Sequence, residues 1–73
     1  MKIDWEIAEE TDRGTVYQGQ IGPKYWIRKY PTADGSYMCK WGRIGSTLSH
    51  YEPTLHDAKA ACQADADKEA NNA

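Results

Sequence analysis

An α+β fold is predicted, a small antiparallel sheet of three to four strands with one C-terminal helix packed on one face. Three observations predict it. Segments rich in β-branched and aromatic residues alternate with turn signals through the first two thirds of the chain. Asp34-Gly35 stands between two such segments, where both residue types tolerate positive φ. Only the last third carries apolar residues at helical spacing. At 73 residues the chain forms one domain, and enzymes built on large α/β frameworks need far more chain.

The elements follow in order. Ile3, Trp5 and Ile7 alternate with Lys2, Asp4 and Glu6, so residues 1–13 are expected to form an acidic N-terminal arm or an edge strand. The sheet is expected over residues 14–45. Residues 15–21 and 24–30 are its first strands, with Gly22-Pro23 as the turn between them. Residues 36–44 return after the Asp34-Gly35 turn, and 45–53 read as loop. Thr54 can cap a helix over 54–69, since Asp57 stands three residues on in a variant of the capping box. Leu55, Ala58, Ala61, Cys62 and Ala66 then share one face, small enough to lie close against a sheet. Residues 69–73 are expected to fray.

The net charge of −2 conceals a strong asymmetry. Residues 1–12 carry −4, residues 13–51 carry +5 and residues 52–73 carry −3. The basic part coincides with the aromatic sheet, a distribution suited to a polar interaction surface. All eight aromatics are Trp or Tyr, which bring a polar handle to a half-open surface. No apolar run approaches the length of a membrane span, and the first residues lack the pattern of a signal peptide, so a cytoplasmic protein without membrane contact is expected. Cys39 and Cys62 are then expected as reduced, buried thiols.

Site chemistry narrows the function classes. His50, His56, Cys39 and Cys62 show no zinc-ligand spacing, so no metal or other cofactor is expected. No nucleophile elbow or phosphate-binding loop occurs, and so small a chain leaves little room for a water-excluding pocket; no catalytic residue is assigned. Binding remains. Residues 24–43 interleave bases with Tyr25, Trp26, Tyr30, Tyr37 and Trp41. Arg and aromatic side chains serve phosphate contact, base stacking and protein hot spots alike. A single helix covers one sheet face, so the other is solvated or used. If Asp34-Gly35 forms a two-residue loop, Trp26 lies opposite Arg43 and Arg28 opposite Trp41, and these four share a face. A slip of one residue swaps the sets.

Trp41-Gly42-Arg43-Ile44-Gly45, preceded by Tyr25-Trp26-Ile27 and followed by Ala58-Lys59-Ala60 on the helix, resembles the WGR domain over about the last fifty residues. In that family a small sheet and helix contact DNA, and the resemblance gives that role to Trp41 and Arg43. The run from Thr54 to Asp65 behind a Tyr/Trp-rich sheet, at this length, is similar to small RNA-polymerase-binding regulators of lytic bacteriophages, such as those that infect Xanthomonas. That resemblance implies a partner, host RNA polymerase contacted at the N-terminal region of its largest subunit. It also implies suppression of initiation by interference with the sigma factor, readthrough of terminators, and nucleic acid nearby. It assigns no site residues. From the residues themselves, the expected contact set is Trp26, Arg28, Lys40, Trp41 and Arg43, with Glu9, Glu10 and Asp12 as a second contact. The free protein is expected to be a monomer. A WGR-like nucleic-acid module and an inhibitor of another host protein, such as a defence nuclease, are the alternatives.

Overall fold

A computed structural model describes residues 2–21 and 24–71. The sheet has five strands, one or two more than the pattern predicts: β1 (Asp4–Thr11), β2 (Gly14–Ile21), β3 (Tyr25–Pro31), β4 (Tyr37–Arg43) and β5 (His50–Glu52). They form an antiparallel meander in chain order, and one helix, α1 (Leu55–Asn71), follows. The acidic segment is therefore an edge strand rather than a free arm. The added strand, β5, lies in the stretch read as loop. It is three residues long, too short to show alternation, and its pairings of Cys39 with Glu52 and Trp41 with His50 define it. The Gly22-Pro23 turn lies outside the described residues.

The register between β3 and β4 also differs from the two-residue-loop expectation. Thr32 and Ser36 close the hairpin, the Thr32 N–H donating to Ser36 O at 2.9 Å and the Gly35 N–H to Thr32 O at 3.2 Å. The loop is thus three residues, Ala33 to Gly35, with Gly35 at φ 86° supplying the left-handed position such a loop requires. The Asp34 carboxylate accepts from the Ser36 N–H at 3.1 Å and from the hydroxyls of Ser36 and Thr32. These bonds, with the Thr32 hydroxyl first, draw its pKa down to about 2. One extra loop residue slips the pairing by one: Trp26 faces Gly42, Ile27 faces Trp41 and Arg28 faces Lys40.

Helix α1 lies over β3, β4 and β5. Thr54 caps it as expected, its Oγ1 accepting from the Asp57 N–H at 3.0 Å. Ala58, Cys62 and Ala66 are buried against Tyr25, Ile27, Cys39 and Trp41. Ile3 joins this core, and its N–H donates to Gln63 Oε1 at 2.9 Å. Both cysteines are free and fully buried. Burial pushes the Cys62 thiol up to about 12 and raises that of Cys39. The helix end is firmer than expected, since residues 69–71 are helical and Glu69 is ion-paired; residues 72–73 lie outside the described part. At 17 residues the helix is about 26 Å long. Among the described residues its strand contacts are with β3, β4 and β5, and Ile7 on β1 stays exposed.

Candidate functional site

Strand parity decides which side chains meet. Tyr25, Ile27, Cys39 and Trp41 point to the helix, so Trp26, Arg28, Tyr30, Met38, Lys40 and Gly42 point to the uncovered face. Val16 and Gln18 on β2 pair with Arg28 and Trp26, and Tyr51 on β5 pairs with Lys40, so all three join that face. A row across the five strands therefore reads Glu9, Val16, Arg28, Lys40, Tyr51.

Two cations sit at the middle of this row. The Lys40 ammonium lies 5.8 Å from the centroid of the Tyr51 ring, within reach of a cation–π contact. Among the described residues neither Arg28 nor Lys40 makes an ion pair; the pairs recorded belong to Arg43. A hollow of about 470 Å³ opens beside them, bordered by Asp12, Arg13, Arg28, Tyr30, Lys40 and Tyr51. Trp26 is half-buried because its indole lies across Gly42. A Cβ on Gly42 would stand 3.0 Å from that ring and 2.8 Å from Leu48 O, so only glycine fits there. Glu9 borders the same face next to Val16, Glu10 turns to the other side opposite Thr15, and Asp12 sits in the β1–β2 turn.

The other expected contact residues face the helix. Trp41 is only 7% exposed. It stacks on His50 at 4.5 Å between centroids and meets Tyr25 at 6.2 Å. Arg43 reaches along α1, its Nε donating to Asp65 Oδ2 at 2.8 Å and its Nη2 to Glu69 Oε1 at 2.5 Å. The Tyr25 hydroxyl donates to the same Asp65 oxygen. Arg43, then Tyr25, hold the Asp65 carboxyl below the usual carboxylate range. Burial, then the hydrogen bond to Asp65, pushes the Tyr25 phenol up to about 12. The two carboxylates, Asp65 first, raise the Arg43 guanidinium further above its ordinary value. In the Trp41-Gly42-Arg43 run, then, the tryptophan fills the core, the glycine admits Trp26 and the arginine ties β4 to α1.

Of the expected contact set, the structure brings Trp26, Arg28 and Lys40 together and sets Trp41 and Arg43 on the opposite face. Arg13 and Tyr51 are the additions. The short β5 that aims Tyr51 carries no periodic signal, and Arg13 acts from a turn, where parity does not apply. Among the described residues no group of three His, Cys, Asp or Glu side chains is placed to hold a metal ion, and no helix is long and apolar enough to cross a membrane. Comparison with family models, curated proteins and solved structures gives no match.

Proposed function

We propose that this chain is a phage-encoded regulator that binds host bacterial RNA polymerase, at the N-terminal region of the largest subunit. On this reading it inhibits initiation and promotes antitermination through protein–protein contact in the bacterial cytoplasm. The partner rests on the resemblance of the Thr54–Asp65 run and the overall layout. The mode of action rests on one observation: a sheet face left uncovered by the single helix, with Trp26, Arg28 and Lys40 at its centre. Aromatic and arginine side chains in such a patch are the residues that dominate binding energy at protein interfaces. An interface of standard size takes about 800 Å² from each partner. That is roughly a sixth of the 5104 Å² this chain exposes, within reach of one sheet face. The acidic β1 edge, with Glu9, Glu10 and Asp12, offers a second contact of opposite sign.

The test is capture of purified bacterial RNA polymerase on the immobilised chain, followed by transcription from a promoter template carrying a terminator. Retention of polymerase, fewer promoter-initiated transcripts and more readthrough are expected, and all three should weaken in Trp26→Ala/Arg28→Ala. Failure to retain polymerase overturns the partner, and retention undiminished in the double variant overturns the face. The nucleic-acid reading tied to the WGR resemblance draws no support from the fold, because Trp41 and Arg43 are engaged with the core and the helix.

A further inference from the structure

Arg28 and Lys40 are Cα partners on adjacent strands, so their side chains leave the sheet about 5 Å apart. Like charges placed directly opposite destabilise a sheet. The usual relief is an ion-paired carboxylate, and among the described residues neither cation has one; Asp12, on the rim of the hollow, is not within ion-pair distance of either. Along the strands the same-face neighbours are Trp26 and Tyr30 beside Arg28, and Met38 and Gly42 beside Lys40; across the strands they are Val16 and Tyr51. All six are neutral. Arg43, on the other face of the same sheet, is ion-paired with two carboxylates. The fold satisfies that arginine and leaves this pair facing an open hollow.

We infer that the Arg28–Lys40 pair seats the carboxylates of an acidic peptide segment on a protein partner, with Tyr30 and Tyr51 packing on its flanks. This deepens the proposed function and rests on its premise that this face docks onto protein. A guanidinium offers two parallel N–H donors matched to a carboxylate, and Lys40 adds a point charge beside it. The rim distinguishes a peptide from a nucleic acid. Asp12 borders the hollow, Glu9 lines the adjoining one on the other side of Arg28, and the β1 edge beyond is acidic. A strand of phosphates carries a charge at every nucleotide and would run over those carboxylates. A peptide concentrates one or two carboxylates on the pair and leaves the rest of its contact neutral or basic.

The full chain, labelled with ¹⁵N, is titrated with the peptide acetyl-Asp-Glu-Asp-Glu-amide, with its Asn-Gln-Asn-Gln counterpart, and with an eight-residue oligothymidylate. The acidic peptide should shift the Arg28 side-chain Nε–H and the Lys40 and Tyr51 amides, and the neutral peptide should not. Arg28→Gln/Lys40→Gln should weaken binding at least tenfold with the rest of the spectrum in place, and Arg28→Lys, which keeps the charge but loses the paired donors, should fall between wild type and the double variant. Equal binding by the double variant, or equal shifts with the neutral peptide, overturns the inference. So does saturation of the same resonances by the oligonucleotide at a tenfold lower concentration, or their movement with protein concentration alone, which would put a second copy on the face. Peptide binding without polymerase capture leaves this inference standing and removes the partner; polymerase capture without peptide binding does the reverse.

Discussion

Substituting Tyr25 by Phe tests the link that holds the helix on one face and so leaves the other open. Tyr25 is 1% exposed, and its hydroxyl shares Asp65 Oδ2 with the Arg43 guanidinium. Removing a donor to a charged acceptor costs about 1.5–3 kcal/mol. Total stability for a chain of this length is about 4–11 kcal/mol, so the loss is readily measured. The phenol adds a pH signature. It is neutral when protonated, and its folded pKa is raised from 10.0 to about 12. The stability tied to this shift is fully present below pH 10 and is lost as pH rises through 12. At pH 11, midway between the two values, about half of it has gone. Urea unfolding of both proteins at pH 8 and pH 11, followed by Trp fluorescence, should show the gap between wild type and Tyr25→Phe narrowing by roughly 1 kcal/mol. The other titrating groups are common to both proteins and cancel in the difference. A gap of equal size at the two pH values would refute the buried, neutral phenol.

Gly42→Ala sets a Cβ against Leu48 O and the Trp26 ring, and should cost about 1–3 kcal/mol by thermal unfolding while shifting the fluorescence of Trp26. Neither thiol should react with a disulfide reagent at pH 8 until urea unfolds the chain, because both are fully buried and their pKa values are raised; reaction in native buffer contradicts the packing. Asp65 is held below its ordinary pKa of 3.8, so its stability contribution is present above that value and is lost as pH falls through the folded one. Asp34 acts in the same window, and Asp65→Asn should therefore flatten the acid limb of stability against pH without abolishing it. Arg28→Gln relieves the like-charge pair and should gain a few tenths of a kcal/mol at low salt while weakening polymerase capture. A variant both less stable and equally well captured would contradict both roles given to Arg28.

Local chemistry was readable where it acts locally. Thr54 can cap only the residues just after it, and the stripe through Ala58, Cys62 and Ala66 depends on spacing alone, so the helix start and its buried face follow from sequence. Glu69 looked like a fraying end because its partner, Arg43, is 26 residues away. The three residues of β5 are a strand only because β4 lies beside them. The identity of the open face turned on a single loop residue. Asp34-Gly35 suits a two-residue turn, yet the Asp34 carboxylate collects the Ser36 N–H and two hydroxyls, and that network closes a three-residue loop instead.

That one residue reassigns the charge of the basic segment. In the two-residue register Arg28 and Arg43 would share a face; in the observed one they lie on opposite faces, and their surroundings differ accordingly. Asp65 and Glu69 are four residues apart on α1, hence on the same side of the helix, and both reach Arg43. The acidic C-terminal segment thus neutralises the cation of β4 that faces it. Lys29, also on that side, lies 4.8 Å from the centroid of the Tyr37 ring. Arg28 and Lys40 stand on the face opposite α1. The positive charge of the sheet is spent on holding the helix at one face and left unspent at the other. An arginine next to a tryptophan therefore has a different meaning at each parity: Arg43 is tied to the helix, and Arg28 stands on the face proposed for binding.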